Sequence, residues 1–451
     1  MGRNSPSKFR RRVDITAVDE FDQFIPDPLN SEVRRQENEK RLINEGYKPK
    51  DGNDPCIYST VIGVPPKSFI TTNVSYDPRC PPPTYFTDLE LNGFQKRTKE
   101  EILEGFTIPP EGGLVCSDKE VIKRQSGVIS SLLKQMIKNF SIEKISLPVR
   151  IFEPRSMSDR VVDLWRFAPQ YLTEASKKQN PLDRLKMVMA FAISGLYCEM
   201  QQLKPFNPLL GETLEAQFED ETKVYLEHTS HHPPASNFYI IGPKNSYKMH
   251  GYYIYRVEMS TNSMKILQDG PNIVEFEDGH KIVFRYPSAK IHGLMFGKRM
   301  VYPSGNMTFE DSQNSIRATI IFNHGKGRGL FGFRKKKTKI DDFDGIMYYR
   351  KEGTTMERVE ELKDLKDVDK IITTITGSWL KCLKAGDDIL WSIDEVSPSA
   401  IKYVKDPLPS DWRFREDMIW LRRNSMVISQ EWKLKLEAEQ RRDEKLRKGK
   451  I

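Results

Sequence analysis

The chain reads as a β-rich α+β protein. A large antiparallel β-barrel is preceded by an α-helical segment and followed by C-terminal helices. Three observations predict this. From Thr222 onward apolar residues recur at every second position in ten short runs separated by turn signals. Ahead of them, residues 181–202 place Leu185, Val188, Met189, Ala192, Ile193 and Leu196 at helical spacing. Beyond Asp411 the pattern returns to helical spacing and becomes strongly charged.

Taken in order, residues 1–115 carry many Pro, Asn, Asp and Lys with few sustained apolar periods, and are expected to be largely disordered or extended. Residues 34–44 could form a short helix, and Cys80-Pro81-Pro82-Pro83 reads as extended linker. A folded domain is expected over 116–451. In residues 126–140, Val128, Ile129, Leu132, Leu133, Met136, Ile137 and Phe140 recur at helical spacing, an amphipathic segment that could simply face a core. A helical region is expected over about 156–203 and the barrel over about 204–400.

The candidate strands are Thr222–Glu227, Asn237–Ile241, Lys248–Met259, Asn272–Phe276, Lys281–Tyr286, Ala289–Phe296, Arg299–Tyr302, Ile316–Phe322, Gly345–Tyr349 and Ile371–Leu380. Asp269-Gly270, Asp278-Gly279, Ser304-Gly305 and the run from Gly325 to Gly329 supply turns. Strands of this number and spacing suit an antiparallel barrel wide enough to enclose a ligand. The C-terminal helical region is expected over about 411–448.

Composition bounds the function. The 451 residues carry a net charge of +8, with 38% hydrophobic and 30% charged residues, as in a soluble globular protein with polar tails. This charge suits an anionic membrane surface or phosphate ligands, and gives little support for nucleic acid as a partner. No run approaches the roughly 18 apolar residues of a membrane-spanning helix. The start, MGRNSPSKFRRR, lacks the apolar stretch of a secretory signal, and Pro6 breaks the myristoylation pattern. Five scattered cysteines without a CxxC pair offer neither a zinc site nor a disulfide framework, and favour a reducing, cytoplasmic setting.

Glu227-His228-Thr229-Ser230-His231-His232-Pro233-Pro234 is the most informative stretch. Proline fixes its own φ and lacks an N–H, so the pair is expected to end regular pairing and stiffen a corner. His232, before proline, is pushed to extended backbone. Neighbouring side chains on extended chain point to opposite faces, so His231 and His232 need not share one ligand; both can donate to an anionic oxygen. A metal site is the alternative. His228 and His232 have HxxxH spacing, but that spacing converges only on a helix, which Pro233 argues against, and a third ligand is missing. No catalytic elbow, P-loop, metal or cofactor site is legible.

The motif resembles the fingerprint of the oxysterol-binding protein family, Glu-Gln-Val-Ser-His-His-Pro-Pro in most members, with His228 for Gln and Thr229 for Val. Two further segments share the resemblance. Lys204-Pro205-Phe206-Asn207-Pro208-Leu209-Leu210-Gly211-Glu212 is similar to the family's Lys-Pro-x-Asn-Pro-x-Leu-Gly-Glu. Lys433, Glu437 and Arg441, spaced i, i+4, i+8 on one helix face, match its Lys-x3-Glu-x3-Arg triad. Read by themselves, the first is a rigid turn and the second a surface charge ladder.

The resemblance implies a short-form member without a pleckstrin-homology module: a cytosolic lipid transfer protein whose barrel encloses a lipid tunnel. It would exchange phosphatidylinositol 4-phosphate for a second lipid, phosphatidylserine or sterol, between membranes. Lys204, Asn207, His231, His232, Lys433, Glu437 and Arg441 would bind the phosphoinositide head. Residues 126–140 would be an N-terminal lid, with Ile129, Leu132, Leu133, Met136 and Leu147 meeting acyl chains or the second lipid. Leu147-Pro148 with Glu153-Pro154-Arg155-Ser156 resembles members that carry phosphatidylserine. A sensor or scaffold at membrane contact sites, with little net transport, is the alternative.

Two segments suggest partners. Phe331-Gly332-Phe333-Arg334-Lys335-Lys336-Lys337 sets aromatics beside cations and could dock on an anionic membrane surface. Residues 84–90 loosely resemble the two-phenylalanine motif that binds endoplasmic reticulum receptors. Peripheral placement at endoplasmic reticulum contact sites is therefore expected.

Overall fold

The structure, a computed structural model, describes residues 91, 95–96, 98–125, 127–128, 146–322, 338–354, 359 and 361–447. The two segments with partner motifs, at 84–90 and 331–337, lie outside the described residues, as does the turn at 325–329.

One antiparallel sheet dominates, with seventeen strands among the described residues. Its first strands are β1 (Phe106–Thr107) and β2 (Leu114–Cys116). A separate parallel pair joins β3 (Phe152–Ser156) and β4 (Lys204–Phe206). The main run then continues through β5 (Thr213–Gln217), β6 (Lys223–His231), β7 (Pro234–Ile241), β8 (Tyr247–Ser260), β9 (Ser263–Asp269), β10 (Asn272–Phe276), β11 (Lys281–Arg285) and β12 (Ser288–His292). It closes with β13 (Met300–Asp311), β14 (Ile316–Phe322), β15 (Asp342–Arg350), β16 (Val368–Ser378), β17 (Cys382–Ala385), β18 (Asp388–Ser392) and β19 (Lys402–Tyr403). The meander β5 to β8 pairs in sequence order, as does β13 to β18. Between them the long strands β8 and β13 each change partner along their length: β8 pairs first with β10 and then with β9, and β13 first with β12 and then with β11. This is a barrel-type sheet whose ladder does not close on itself among the described residues.

Among the described residues four longer helices flank it: α1 (Ala168–Lys177), α2 (Pro181–Ser194), α3 (Glu416–Arg422) and α4 (Met426–Arg447). Helix α2 starts where Asn180 accepts a hydrogen bond from the Leu182 N–H at 2.8 Å and proline takes the first helical position. Its apolar face, including Leu185, Val188, Met189 and Ile193, is fully buried and packs against β13, β17 and β18. It is interrupted at Gly195, where a Cβ would lie 2.1 Å from the Leu164 carbonyl oxygen, and a short helix over Leu196–Glu199 follows, so the helical stretch ends close to the expected 202. The core holds Trp165, Trp379, Trp391 and Trp412 and runs continuously from this helical layer into the sheet.

The strand pattern follows from alternation. In β6, Val224 and Leu226 are buried between more exposed neighbours, while all seven residues of β14 are buried, as in a strand covered on both faces. Asn272–Phe276 and Ile316–Phe322 form strands with the expected bounds. Three expectations are corrected. Ser304-Gly305 is not a turn but lies inside β13, where Gly305 at φ 95° bends the strand as its partner changes. The strand expected to reach Phe296 ends at His292, because Gly293 turns away at φ 77°. Residues 98–115, part of the region 1–115 expected to be largely disordered or extended, hold a capped helical turn, β1 and the start of β2, and β2 pairs with β13.

Candidate functional site

The two histidines sit at a hairpin tip. β6 ends at His231, β7 begins at Pro234 directly opposite it, and His232-Pro233 is the connection, with a cis peptide bond. The expectation that both prolines end regular pairing is thus corrected: the ladder resumes at Pro234, a strand's first residue, where a missing N–H is tolerated. The rings of His231 and His232 also lie together rather than apart, with centroids 4.6 Å from each other. The tight connection turns the chain over between them, so the alternation of an extended strand does not apply.

His228 is 1% exposed, and its Nδ1 lies 2.9 Å from the hydroxyl of Ser236, its cross-strand partner. Burial, then the nearby His231, pushes its pKa down to about 3, so it is a neutral wall residue. Burial and then His232 likewise push His231 down to about 4, while its Nδ1 is buried with no hydrogen-bond partner among the described residues. HxxxH on this strand brings no third ligand: among the described residues no group of three His, Cys, Asp or Glu is arranged to hold a metal.

The Lys-Pro-x-Asn-Pro segment docks on this hairpin through backbone. The Gly211 N–H donates to the His228 carbonyl at 2.8 Å, and the His228 N–H to the Glu212 carbonyl at 2.9 Å. The Glu212 carboxylate then fixes the loop, accepting from the Leu209 N–H at 3.1 Å, from Ser156 Oγ and from Arg415 Nη1 at 2.9 Å. Arg415 also donates to the Asn207 carbonyl at 2.7 Å and pairs with Asp417 at 2.7 Å. A buried arginine with two carboxylates therefore sets the conformation of the loop that follows β4 and carries Asn207.

Lys204 donates to Asn207 Oδ1 at 2.5 Å and to the Pro205 carbonyl at 3.0 Å. Its Nζ stands 4.8 Å from the centroid of Phe152, its neighbour across the β3–β4 pair. Lys433, from α4, approaches the same ring at 5.5 Å. Burial, then the Lys433 charge, lowers the pKa of Lys204 to about 7, only partly opposed by Glu437. Phe152 packs on Phe206 with centroids 4.7 Å apart, and the Arg415 guanidinium lies over Phe206 at 5.4 Å.

Helix α4 supplies the third wall. Lys433, 5% exposed, pairs with Glu437 and donates to Ser146 Oγ at 2.9 Å; Ser146 in turn donates to Glu437 Oε2 at 2.9 Å. Glu437, Arg441 and Glu444 lie within electrostatic reach of His231. Arg441 forms no ion pair or hydrogen bond among the described residues. Gln440 Nε2 reaches the Pro208 carbonyl at 3.4 Å, tying the helix to the loop.

The structure thus brings Lys204, Asn207, His231, His232, Lys433, Glu437 and Arg441 together from β4 and its following loop, a hairpin and a helix. Leu147 packs partly buried against the core. Ile129, Leu132, Leu133 and Met136 lie outside the described residues. Sequence reasoning missed Phe152, Ser146 and Arg415, which no motif marks, and gave no role to Glu212, although it ends the Lys-Pro-x-Asn-Pro segment. Chemically the cluster offers two lysines over the Phe152 ring, with Glu437 and Arg441 in electrostatic reach of His231 and its neighbour His232, whose rings carry N–H donors, an arrangement for an oxyanion with hydroxyls beside it.

Comparison with known proteins fits this arrangement. A sequence model described as Oxysterol-binding protein matches residues 128–451. Oxysterol-binding protein 9 of Dictyostelium discoideum is 32% identical over 362 residues, which is 78% of this chain and 83% of that protein. The crystal structure of the Osh3 ORD in complex with PI(4)P from Saccharomyces cerevisiae matches with a TM-score of 0.54 at 23% identity, over 71% of this chain and 84% of that one. The crystal structure of the Osh1 ORD domain in complex with ergosterol matches with a TM-score of 0.52 at 18% identity, over 70% and 80% of the two chains. At these identities the two structures speak for the fold.

Proposed function

The chain belongs to the oxysterol-binding protein family, and from that premise we propose that it is a lipid carrier that binds phosphatidylinositol 4-phosphate by its head group and exchanges it for a second lipid between membranes. The observation that carries the reading is the meeting of Lys204 and Lys433 over the Phe152 ring, with Glu437 and Arg441 joining them to His231 and the adjoining His232. The 4-phosphate takes its charge-assisted hydrogen bonds from this set, each contributing about 1.5–3 kcal/mol. Asn207 and Glu437 meet the inositol hydroxyls. Several such bonds together select a phosphorylated head over a neutral one.

The acyl chains need enclosure, since each exposed CH₂ costs about 0.8 kcal/mol. The barrel provides the volume and residues 126–140, with Leu147, the cover. No bond is made or broken: carriage consists of desolvation, capture and release. The solved relative complexed with PI(4)P supports the first ligand. The second is a sterol, as in the relative complexed with ergosterol, or phosphatidylserine, which Leu147-Pro148 and Glu153-Pro154-Arg155-Ser156 favour. The carrier works in the cytoplasm, peripherally at membranes, including endoplasmic reticulum contact sites, with residues 1–115 as a region that could meet a receptor.

The test is extraction from liposomes carrying either phosphatidylinositol 4-phosphate or phosphatidylinositol. The account expects the phosphorylated lipid to be taken up and the other left behind; equal uptake contradicts it. Mass spectrometry of copurifying lipids names the second cargo.

A further inference from the structure

The connection between β12 and β13 holds a short apolar tip out in water. Phe296 is 67% exposed, the most exposed large hydrophobic side chain among the described residues, and Met295 beside it is 50% exposed. This exposure is built in, because one side chain braces the whole tip. Asn262, at the β8–β9 turn and 9% exposed, accepts at Oδ1 from the N–H groups of Met295 (2.8 Å) and Phe296 (3.1 Å). Its Nδ2 donates to the Phe296 carbonyl at 3.0 Å, and its own carbonyl accepts from the Gly293 and Leu294 N–H groups at 3.0 and 3.3 Å. Gly293 makes the turn possible, since a Cβ there would lie 2.1 Å from the Lys298 carbonyl oxygen. A buried asparagine that satisfies the backbone of an apolar tip while leaving its side chains in water prepares that tip for another medium.

The surroundings say which medium. Lys290, His292, Lys298 and Arg299 flank the tip, and no acidic residue occurs between Ser288 and Phe309. Lys290 stands directly opposite Lys265 in the ladder. Among the described residues, acidic groups near these cations include Glu258, opposite Lys265, Glu111, 3.9 Å from Lys298, and Asp118, which with Arg299 lies in electrostatic reach of Cys116. Two apolar side chains are far too few for a specific protein interface, which buries on the order of 1,000 Å². They suit insertion at the boundary between head groups and acyl chains, with lysines meeting lipid phosphates. The tip is also joined to the root of the 126–140 segment. The Cys116 N–H donates to the Arg299 carbonyl at 2.9 Å, β2 pairs with β13 at Met300 and Val301, and the Arg299 guanidinium donates to Gln125.

We propose that Met295 and Phe296 form an anchor that inserts into anionic bilayers and sets the chain on the membrane with the root of residues 126–140 against it. The purpose assigned to the anchor rests on the carrier reading; its insertion does not. All six native tryptophans are buried, so Phe296→Trp in the full chain adds an exposed reporter. With vesicles of phosphatidylcholine and phosphatidylserine, the added emission should shift to the blue and be quenched by lipids brominated on their acyl chains. Met295→Asp/Phe296→Asp, which touches only exposed side chains, should lower vesicle association about tenfold or more. A reporter that stays in water, or a double variant that associates like the native chain, overturns the anchor; if lipid is still extracted, the carrier reading survives. Insertion without any extraction keeps the anchor and contradicts the carrier.

Discussion

Lys204 and Lys433 direct their ammonium groups at one phenyl ring, that of Phe152, from 4.8 and 5.5 Å. The two cations come from distant positions in the chain and repel each other, a repulsion that Glu437 only partly offsets. A cation over an aromatic face gains about 0.5–2 kcal/mol. Phe152→Leu keeps an apolar side chain at this buried position and removes the quadrupole. Head-group affinity should fall by roughly threefold to thirtyfold, read by titration with the soluble inositol phosphate head. Unchanged affinity removes the ring from the account.

The same pair makes binding proton-coupled. Lys204 is lowered to about 7, first by burial and then by Lys433, so at pH 8 most of it is neutral in the free protein. A bound phosphate favours the charged form and raises that pKa, so binding at pH 8 takes up a proton. Calorimetry in buffers of different ionisation enthalpy should show uptake approaching one proton per site, and Lys204→Met should lose it. Buffer-independent heats are incompatible with this picture.

His228 gives a stability signature. Its folded pKa of about 3 lies well below the roughly 6.5 of an unfolded histidine. Between those values the unfolded chain binds a proton that the folded chain does not, so stability is lost as pH falls through 6.5 and continues to fall until about pH 3. At pH 4.5 the loss from this residue is about 2–3 kcal/mol. His228→Gln, the residue common in the family, should remove that part of the difference between urea melts at pH 7 and pH 4.5. An unchanged pH difference places the acid sensitivity elsewhere.

Arg415 is the hub that sequence reading missed. It is buried, pairs with Asp417 and Glu212, and donates to the Asn207 carbonyl. Arg415→Ala strands two buried carboxylates and should destabilise the fold by about 3–5 kcal/mol, visible in thermal melts. Arg415→Lys, which cannot span both carboxylates and the carbonyl, should fold better than the alanine variant yet bind the head group more weakly. Native affinity in the lysine variant contradicts the positioning role.

What the sequence made legible divides along physical lines. Local periodicity found ten of the strands and the burial of α2, because alternation and helical spacing are read within a few residues. β9, with consecutive Leu267 and Gln268 buried, carries no such signal, and β17 alternates over only four residues, too short to stand out. The charged and histidine members of the site were legible because they stand in short motifs. Phe152, Ser146 and Arg415 were not, since they reach the site only through the β3–β4 pairing and the packing of α3 and α4, which are relations between distant positions. The closeness of the His231 and His232 rings was likewise hidden, since it depends on how the hairpin turns.

The most direct measurement of the central claim is liposome extraction and transfer of phosphatidylinositol 4-phosphate by the native chain and by His231→Ala/His232→Ala. Removing two donors to the phosphate, while His228 and the ladder of β6 and β7 stay in place, should lower extraction about a hundredfold or more with little change in melting temperature. Extraction by the folded double variant at the native level would contradict the account.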